Sequence, residues 1–397
     1  MQIELCMFFS NSDSFKTINY HLKLITELTN KFGKITFVNF IKIQNKQENH
    51  SIKAPNVVNS RYFIPESEKD FINYIKSKKI IAIDCLGKDL NFFKIRTLIN
   101  KTNIYLALII NTGVISNAPI SISKFNFYND IKNKIIKKIY RFLVLLKVFP
   151  SIDIYFDPRR DIIENIEYKI KKYSKLQSIV KIFNILYFKE CYRINCKSYD
   201  NYLELNKLNI KKKIIFLDGN YKHQDIEKRS QKISDEIRDK YFNSLENIFQ
   251  NFEKEFNLDV EICLHPTSNI NEYKKFFKTR NIYINKTSSE IPNAEIILFH
   301  ESGSVNDAIL QKKIIVSLVT RLLGGYYYQR IINYKQFLDL FSIDIDKNEE
   351  FKKDEILKNF NNSVVKFEYY INNFLKSENT PSYKKITNII YEFSNKI

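Results

Sequence analysis

Short apolar runs alternate with stretches of helical period along most of this chain, and few folds can absorb that alternation. In the first part, residues 3–9, 34–40, 79–84 and 104–111 read as buried strands. Residues 15–32 and 90–100 read as helices; the first sets Ile18, Leu22, Ile25 and Leu28 on one face. Strand and helix in turn predict a largely parallel sheet with helices packed on its faces. The pattern restarts at Ile214-Ile215-Phe216-Leu217. A long helix follows, with Ile233, Ile237, Tyr241, Leu245, Ile248, Phe252 and Phe256 spaced three or four apart. Strands at 260–264, 282–285, 295–299 and 313–318 then alternate with helices at 270–278 and 304–311, and helices near 364–376 and 382–395 close the chain. A chain of 397 residues is too long for one ordinary core. The expected architecture is α/β, with two Rossmann-like domains facing a central cleft. The boundary falls in the polar stretch at 200–212, which gives domains at 1–205 and 206–397.

One segment interrupts the alternation. Residues 127–149 place Ile131, Ile135, Ile139, Phe142, Leu143 and Leu146 on one helical face and crowd lysines and Arg141 on the other. Residues 166–188 repeat this character less cleanly, so about 127–190 reads as a basic helical insertion in the first domain. The stretch at 131–147 suits an anionic membrane surface, or equally the outside of the sheet.

Composition narrows the function classes. Seven glycines are few for the length, and neither GxGxxG nor GxxxxGK[ST] occurs. The formal net charge of +19 fits an anionic substrate, a membrane surface or nucleic acid, but no nucleic-acid recognition motif is present. Five scattered cysteines complete no zinc-ligand pattern and fit a reducing, cytoplasmic setting. No signal peptide is expected, because no basic region precedes the apolar residues at the N-terminus, and no run is long enough to span a bilayer. Asp344-Ile345-Asp346 matches the letters of a metal-binding triplet but lies beyond the second expected sheet, so neither a metal nor a cofactor is expected.

The residues that could carry chemistry follow strands. His265 and Pro266 leave the run 260–264, and His300-Glu301-Ser302-Gly303-Ser304 leaves the run 296–299. Ligands of open α/β sheets bind outside such carboxyl ends. Proline fixes the turn, so His265 could meet a phosphate or ribose from a rigid loop. Ser302, Gly303 and Ser304 open a helix, where amides and hydroxyls bind phosphate; Ser304 also suits a plain N-cap. Glu301 would suit a ribose hydroxyl. Lesser candidates are Ser10, Asn11 and Ser12, Thr112-Gly113, and Arg321 with the turn Gly324-Gly325-Tyr326-Tyr327-Tyr328.

The His-Pro pair followed by a serine pair in the second domain resembles the bacterial sialyltransferase-like glycosyltransferases of the GT-B fold. That resemblance covers mainly 216–334, and Tyr199-Asp200-Asn201-Tyr202-Leu203 adds to it. It implies a CMP-sugar donor contacted by His265, Pro266, Ser302 and Ser304, an acidic nonulosonic-type sugar, and a glycan or glycolipid acceptor of a bacterial surface. Those families take a base from an acidic pair followed by Gly, and here the sequence departs. Asp218-Gly219 has a single acid in the second domain, whereas Asp84 lies at a strand end in the first. A base must stand within reach of the acceptor hydroxyl; Asp84 and Asp218 are the candidates, with a helix cap and a turn residue as their plain readings. Two other functions fit: a GT-B enzyme using a UDP- or GDP-sugar, and a non-catalytic basic protein bound to membrane or nucleic acid.

Overall fold

The structure is a computed structural model that describes residues 3–10, 18–44, 57–76, 78–86, 92–110, 139, 143, 150–174, 188–205, 212–222, 232–347 and 349–397. The chain forms two compact units. One holds the described residues up to 110, those from 150 to 197, and Lys376–Ile397; the other holds Ser198–Leu375.

The first unit is built on β1 (Ile3–Phe9), β2 (Ile35–Asn39), β3 (Ser60–Phe63), β4 (Lys79–Asp84), β5 (Ile104–Ile109), β6 (Ile152–Asp157) and β7 (Phe188–Arg193). They form one parallel sheet in the order β3-β2-β1-β4-β5-β6-β7. The central strands β1, β4 and β5 are mainly apolar, with buried side chains on both faces of the parallel sheet. Helices α1 (Leu22–Phe32), α2 (Glu68–Ile75), α3 (Phe93–Asn100) and α4 (Arg160–Ser174) connect them. Gly33 ends α1 in the left-handed region (φ 78°), where its N–H reaches the Thr29 carbonyl, a conformation that costs other L-residues more.

Three of these strands are absent from the sequence reading. Residues 152–157 and 188–193 extend the sheet rather than belonging to a basic insertion. Their charged residues hide the apolar signal. Asp153, buried within β6, accepts from the Leu106 N–H at 2.8 Å and pairs with Lys189 of β7 at 2.5 Å. The short β3 carries Arg61 between Ser60 and Tyr62. The basic face expected at 131–147 lies outside the described residues, apart from Ile139 and Leu143.

The second unit is built on β8 (Ile214–Leu217), β9 (Val260–Leu264), β10 (Ile282–Ile284), β11 (Ile296–Phe299), β12 (Ile314–Val319) and β13 (Phe341–Asp344). All pair in parallel, in the order β10-β9-β8-β11-β12-β13. Counted within the unit this is 3-2-1-4-5-6, the order of a dinucleotide-binding Rossmann sheet. Its helices include α5 (Lys197–Leu203), which opens at the junction of the units, then α6 (Asp235–Phe256), α7 (Ile270–Phe276), α8 (Val305–Leu310), α9 (Gly325–Leu338) and α10 (Lys353–Tyr370). The 22-residue α6 starts where the Ser234 hydroxyl accepts from the Ile237 N–H and stops at Asn257 in the left-handed region. Between those caps, Tyr241, Phe242, Leu245, Ile248, Phe249 and Phe252 lie on the sheet, the face their spacing predicts.

Two expectations are corrected here. The last helix, α11 (Ser382–Lys396), does not close the second domain. Ile386 and Ile390 pack with Leu24, Ile25 and Leu28 of α1, and Tyr391 meets Phe32 edge-on. Asp344-Ile345-Asp346 is not beyond the second sheet either; Asp344 ends its edge strand.

Candidate functional site

The switch point of the second sheet lies between β8 and β11, where successive connections leave in opposite directions and a crevice opens at the carboxyl ends. Three loops converge there. Asp218-Gly219-Asn220 follows β8, His265-Pro266-Thr267-Ser268 follows β9, and His300-Glu301-Ser302 follows β11.

Asp218 ties the first loop to the second. Its Oδ2 accepts from the Ser268 hydroxyl at 2.7 Å and from the His265 N–H at 3.3 Å, while its Oδ1 accepts from the Tyr273 hydroxyl at 2.7 Å. The side chain is only 3% exposed. Burial pushes its carboxyl above the ordinary value, and hydrogen bonds from Ser268, Tyr273 and the backbone at His265 and Asn220 oppose that rise. The Ser268 N–H returns to the His265 carbonyl at 2.9 Å, which closes a β-turn with Pro266 at its second position. Within that turn, the Thr267 N–H donates to His265 Nδ1 at 3.2 Å and the Thr267 hydroxyl lies 2.8 Å from the same nitrogen. Asn220 Nδ2 donates to the Thr267 hydroxyl at 2.8 Å.

Gly219 ties the first loop to the third. A Cβ at Gly219 would stand 2.5 Å from the Glu301 carbonyl oxygen and 2.6 Å from the Tyr327 hydroxyl, so the two strand ends close on a position that only glycine fills. The Glu301 carboxylate pairs with Arg330 of α9. Burial lowers the Arg330 pKa, but the Glu301 charge outweighs it and holds the guanidinium above its ordinary value. Arg330 also reaches the Tyr326 hydroxyl at 3.3 Å.

His300 is wholly buried, its ring against Phe216, Tyr241 and Tyr327. Nδ1 bonds the Leu318 carbonyl, and Nε2 has no partner among the described residues. Desolvation pushes its pKa down to about 4, so the ring is neutral near pH 7.

The serine turn is less elaborate. Ser302 Oγ accepts from the Ser304 N–H at 3.3 Å, and the Val305 N–H reaches the Ser302 carbonyl at 3.2 Å. Ser304 precedes α8 with no side-chain cap, and the space beside Gly303 Cα is open. Further along the sheet, Arg321 pairs with Asp344 at 3.0 Å, and Asp346 accepts from the Thr320 hydroxyl and the Arg321 N–H, both at 2.6 Å. Among the described residues, no three His, Cys, Asp or Glu side chains are arranged to hold a metal ion, and no helix is long and apolar enough to cross a membrane.

The structure therefore places His265 and Pro266 after β9, and Glu301, Ser302, Gly303 and Ser304 after β11, on the two strands that flank β8 rather than on adjacent strands. It gives the two candidate bases other tasks. Asp218 holds the His265 turn from beneath. Asp84, in the first unit, is 4% exposed and bonded to Arg96 at 2.5 and 3.0 Å, and its Oδ1 accepts from the Leu86 N–H at 3.0 Å. Both carboxylates are buried and hydrogen-bonded within the fold, whereas a general base needs a lone pair within reach of its proton. Ser10 donates to Gln44 at 2.6 Å, whereas Asn11, Ser12, Thr112 and Gly113 lie outside the described residues. The sequence reading did not assign roles to Asn220, Thr267, Tyr273 or Arg330. Asp218-Gly219-Asn220 carries a turn signal, and Asn220 does adopt a left-handed φ of 59°. Nothing local marks Arg330, which reaches the site from one turn inside α9.

No family model matches the sequence, and no curated protein matches it. Solved structures match along the whole chain. CalG4, the calicheamicin glycosyltransferase, aligns at TM-score 0.50 and 8% identity, covering 100% of this chain and 99% of that one. Phytolacca americana UGT2, complexed with UDP-2fluoro-glucose and pterostilbene, aligns at 0.52 and 9%, covering 98% and 100%. The wall teichoic acid polymerase TagF, as a variant soaked with CDPG, aligns at 0.51 and 13%, covering 99% and 89%. The shared feature is the fold, the two Rossmann-like units of GT-B structures.

Proposed function

We propose that this chain is a glycosyltransferase whose second unit holds a nucleotide-activated sugar at the carboxyl ends of β8, β9 and β11. The observation that carries the reading is the convergence of the three loops at the switch point of a 3-2-1-4-5-6 sheet. In this reading His265, Pro266, Ser302, Gly303 and Ser304 meet the phosphate and adjoining sugar. Glu301, steadied by Arg330, takes ribose hydroxyls, since a paired carboxylate is a good acceptor for them. That solved structures sharing the fold include glycosyltransferases, among them one in complex with a UDP-sugar, agrees with the class of reaction.

The donor in this reading is a CMP-linked acidic sugar of the nonulosonic type, and the acceptor a surface glycan or glycolipid. The support is the His-Pro and Ser-Gly-Ser pairing, together with a net charge of +19 that suits an acidic donor and acceptor. A UDP- or GDP-sugar is the second reading, favoured by the UDP-sugar in the matching plant structure. In this reading transfer proceeds without a metal, and hydrogen-bond donors of the loops take the phosphate charge. Activity should then survive chelation. The test is a thermal-shift panel of CMP, CTP, UDP and GDP on the full chain. Stabilisation by the cytidine nucleotides that is lost in His265→Ala supports the first reading, and preference for UDP or GDP moves the assignment to the second. No response to any nucleotide refutes both.

A further inference from the structure

Three buried side chains near the switch point carry polar atoms that the fold itself does not pair. The hydroxyls of Tyr241 and Tyr327 and Nε2 of His300 make no hydrogen bond among the described residues. The His300 ring packs against both tyrosines. Buried polar groups are nearly always paired, so three of them in contact call for a physical reason. Tyr327 is the informative one. It is only 3% exposed and stands in the first turn of α9. Its hydroxyl reaches the seam between the first and third loops, 2.6 Å from where a Cβ on Gly219 would stand.

Burial pushes the Tyr327 pKa well above the ordinary tyrosine value, the Glu301 and Asp218 charges add to the rise, and Arg330 opposes it. The hydroxyl therefore keeps its proton and can both donate and accept. Those negative surroundings disfavour an anionic oxygen, so a phosphate is a poor partner here. The ionised Glu301 carboxylate, whose charge acts on Tyr327, can only accept. A neutral ligand group that suits both neighbours must donate as well as accept. A hydroxyl does so, whereas a base carbonyl or amine does not.

We propose that the Tyr327 hydroxyl is a specificity-determining contact that reads one of the two hydroxyls of the ligand's ribose. The second unit thereby distinguishes a ribonucleotide from a deoxyribonucleotide. This deepens the proposed nucleotide site and rests on it for the ribose.

Titration calorimetry of the full chain with CMP, 2′-deoxy-CMP and 3′-deoxy-CMP, repeated with the uridine series, tests the assignment. Wild type should bind one of the two deoxynucleotides about tenfold more weakly than the ribonucleotide, the scale of one good hydrogen bond. Tyr327→Phe should weaken the ribonucleotide about tenfold and leave that deoxynucleotide unchanged. Its Tm without nucleotide should equal or exceed that of wild type, because the hydroxyl pairs with nothing in the fold. An unaltered ribonucleotide affinity in Tyr327→Phe, an equal loss for all three ligands, or a Tm lowered by several degrees overturns the inference and leaves the nucleotide site standing. No binding of either nucleotide series to wild type overturns the nucleotide site and this contact with it.

Discussion

Gly219→Ala is the sharpest perturbation of the switch point. A methyl group there would lie 2.5 Å from the Glu301 carbonyl oxygen and 2.6 Å from the Tyr327 hydroxyl. Ordinary van der Waals contact starts near 3.4 Å, so both neighbours fall short by about 0.8–0.9 Å. Neither can yield easily. The carbonyl belongs to backbone at the end of β11, and Tyr327 is packed in the core of the second unit. Overpacking of this kind costs about 1–3 kcal/mol, and two unyielding neighbours place it at the upper end. For a unit of this size, ~3 kcal/mol lowers Tm by roughly 6–12 °C. The same displacement moves Glu301 and the serine turn, so nucleotide affinity should fall at least about tenfold, or ~1.4 kcal/mol. Differential scanning calorimetry and nucleotide titration read the two effects. Tyr327→Phe removes one of the two contacts, so in the Gly219→Ala background it should recover part of the loss and not all, a coupling visible in a double-mutant cycle. Gly219→Ala with Tm within about 1 °C of wild type and unaltered nucleotide binding would show that the loops do not close as described.

Three further outcomes follow from other parts of the molecule. The pKa of His300 is about 4 when folded and about 6.5 when unfolded, so as pH falls the unfolded chain takes the proton first. Stability of the second unit should therefore drop by about 3 kcal/mol between pH 6.5 and 4, and His300→Gln should flatten that window in urea titrations. Arg96→Met leaves Asp84 as a buried unpaired charge, with an expected loss of about 3–5 kcal/mol, whereas adding Asp84→Leu should restore much of it. Asp218→Asn separates positioning from proton transfer: weaker donor binding with kcat within about tenfold fits a support of the His265 turn, while a loss of kcat by about 10²–10⁴ marks a base.

Sequence alone carried the architecture where the physics is local. Apolar runs such as 214–217 and 260–264 are strands because both faces of a parallel sheet are buried, and the α6 periodicity shows on inspection. Strands whose charges are satisfied across the sheet, β6 through Asp153 and Lys189, were not legible, because the pairing partner lies far along the chain. The final helix belongs to the first unit although it follows the second in sequence, and amphipathic spacing says that a face is buried, not against what. At the site, the loop positions of His265 and Glu301 could be read from the strands before them. The engagement of Asp218 and Asp84 could not, since Ser268, Tyr273 and Arg96 reach them only through the fold.

Hydrogen–deuterium exchange of the full chain with and without saturating CMP tests the donor site most directly. The account predicts protection at 218–222, 264–268 and 300–304, where amides of the three loops meet the ligand, and no protection there in His265→Ala. Protection confined to the first unit, or none at a concentration that saturates binding, would contradict it.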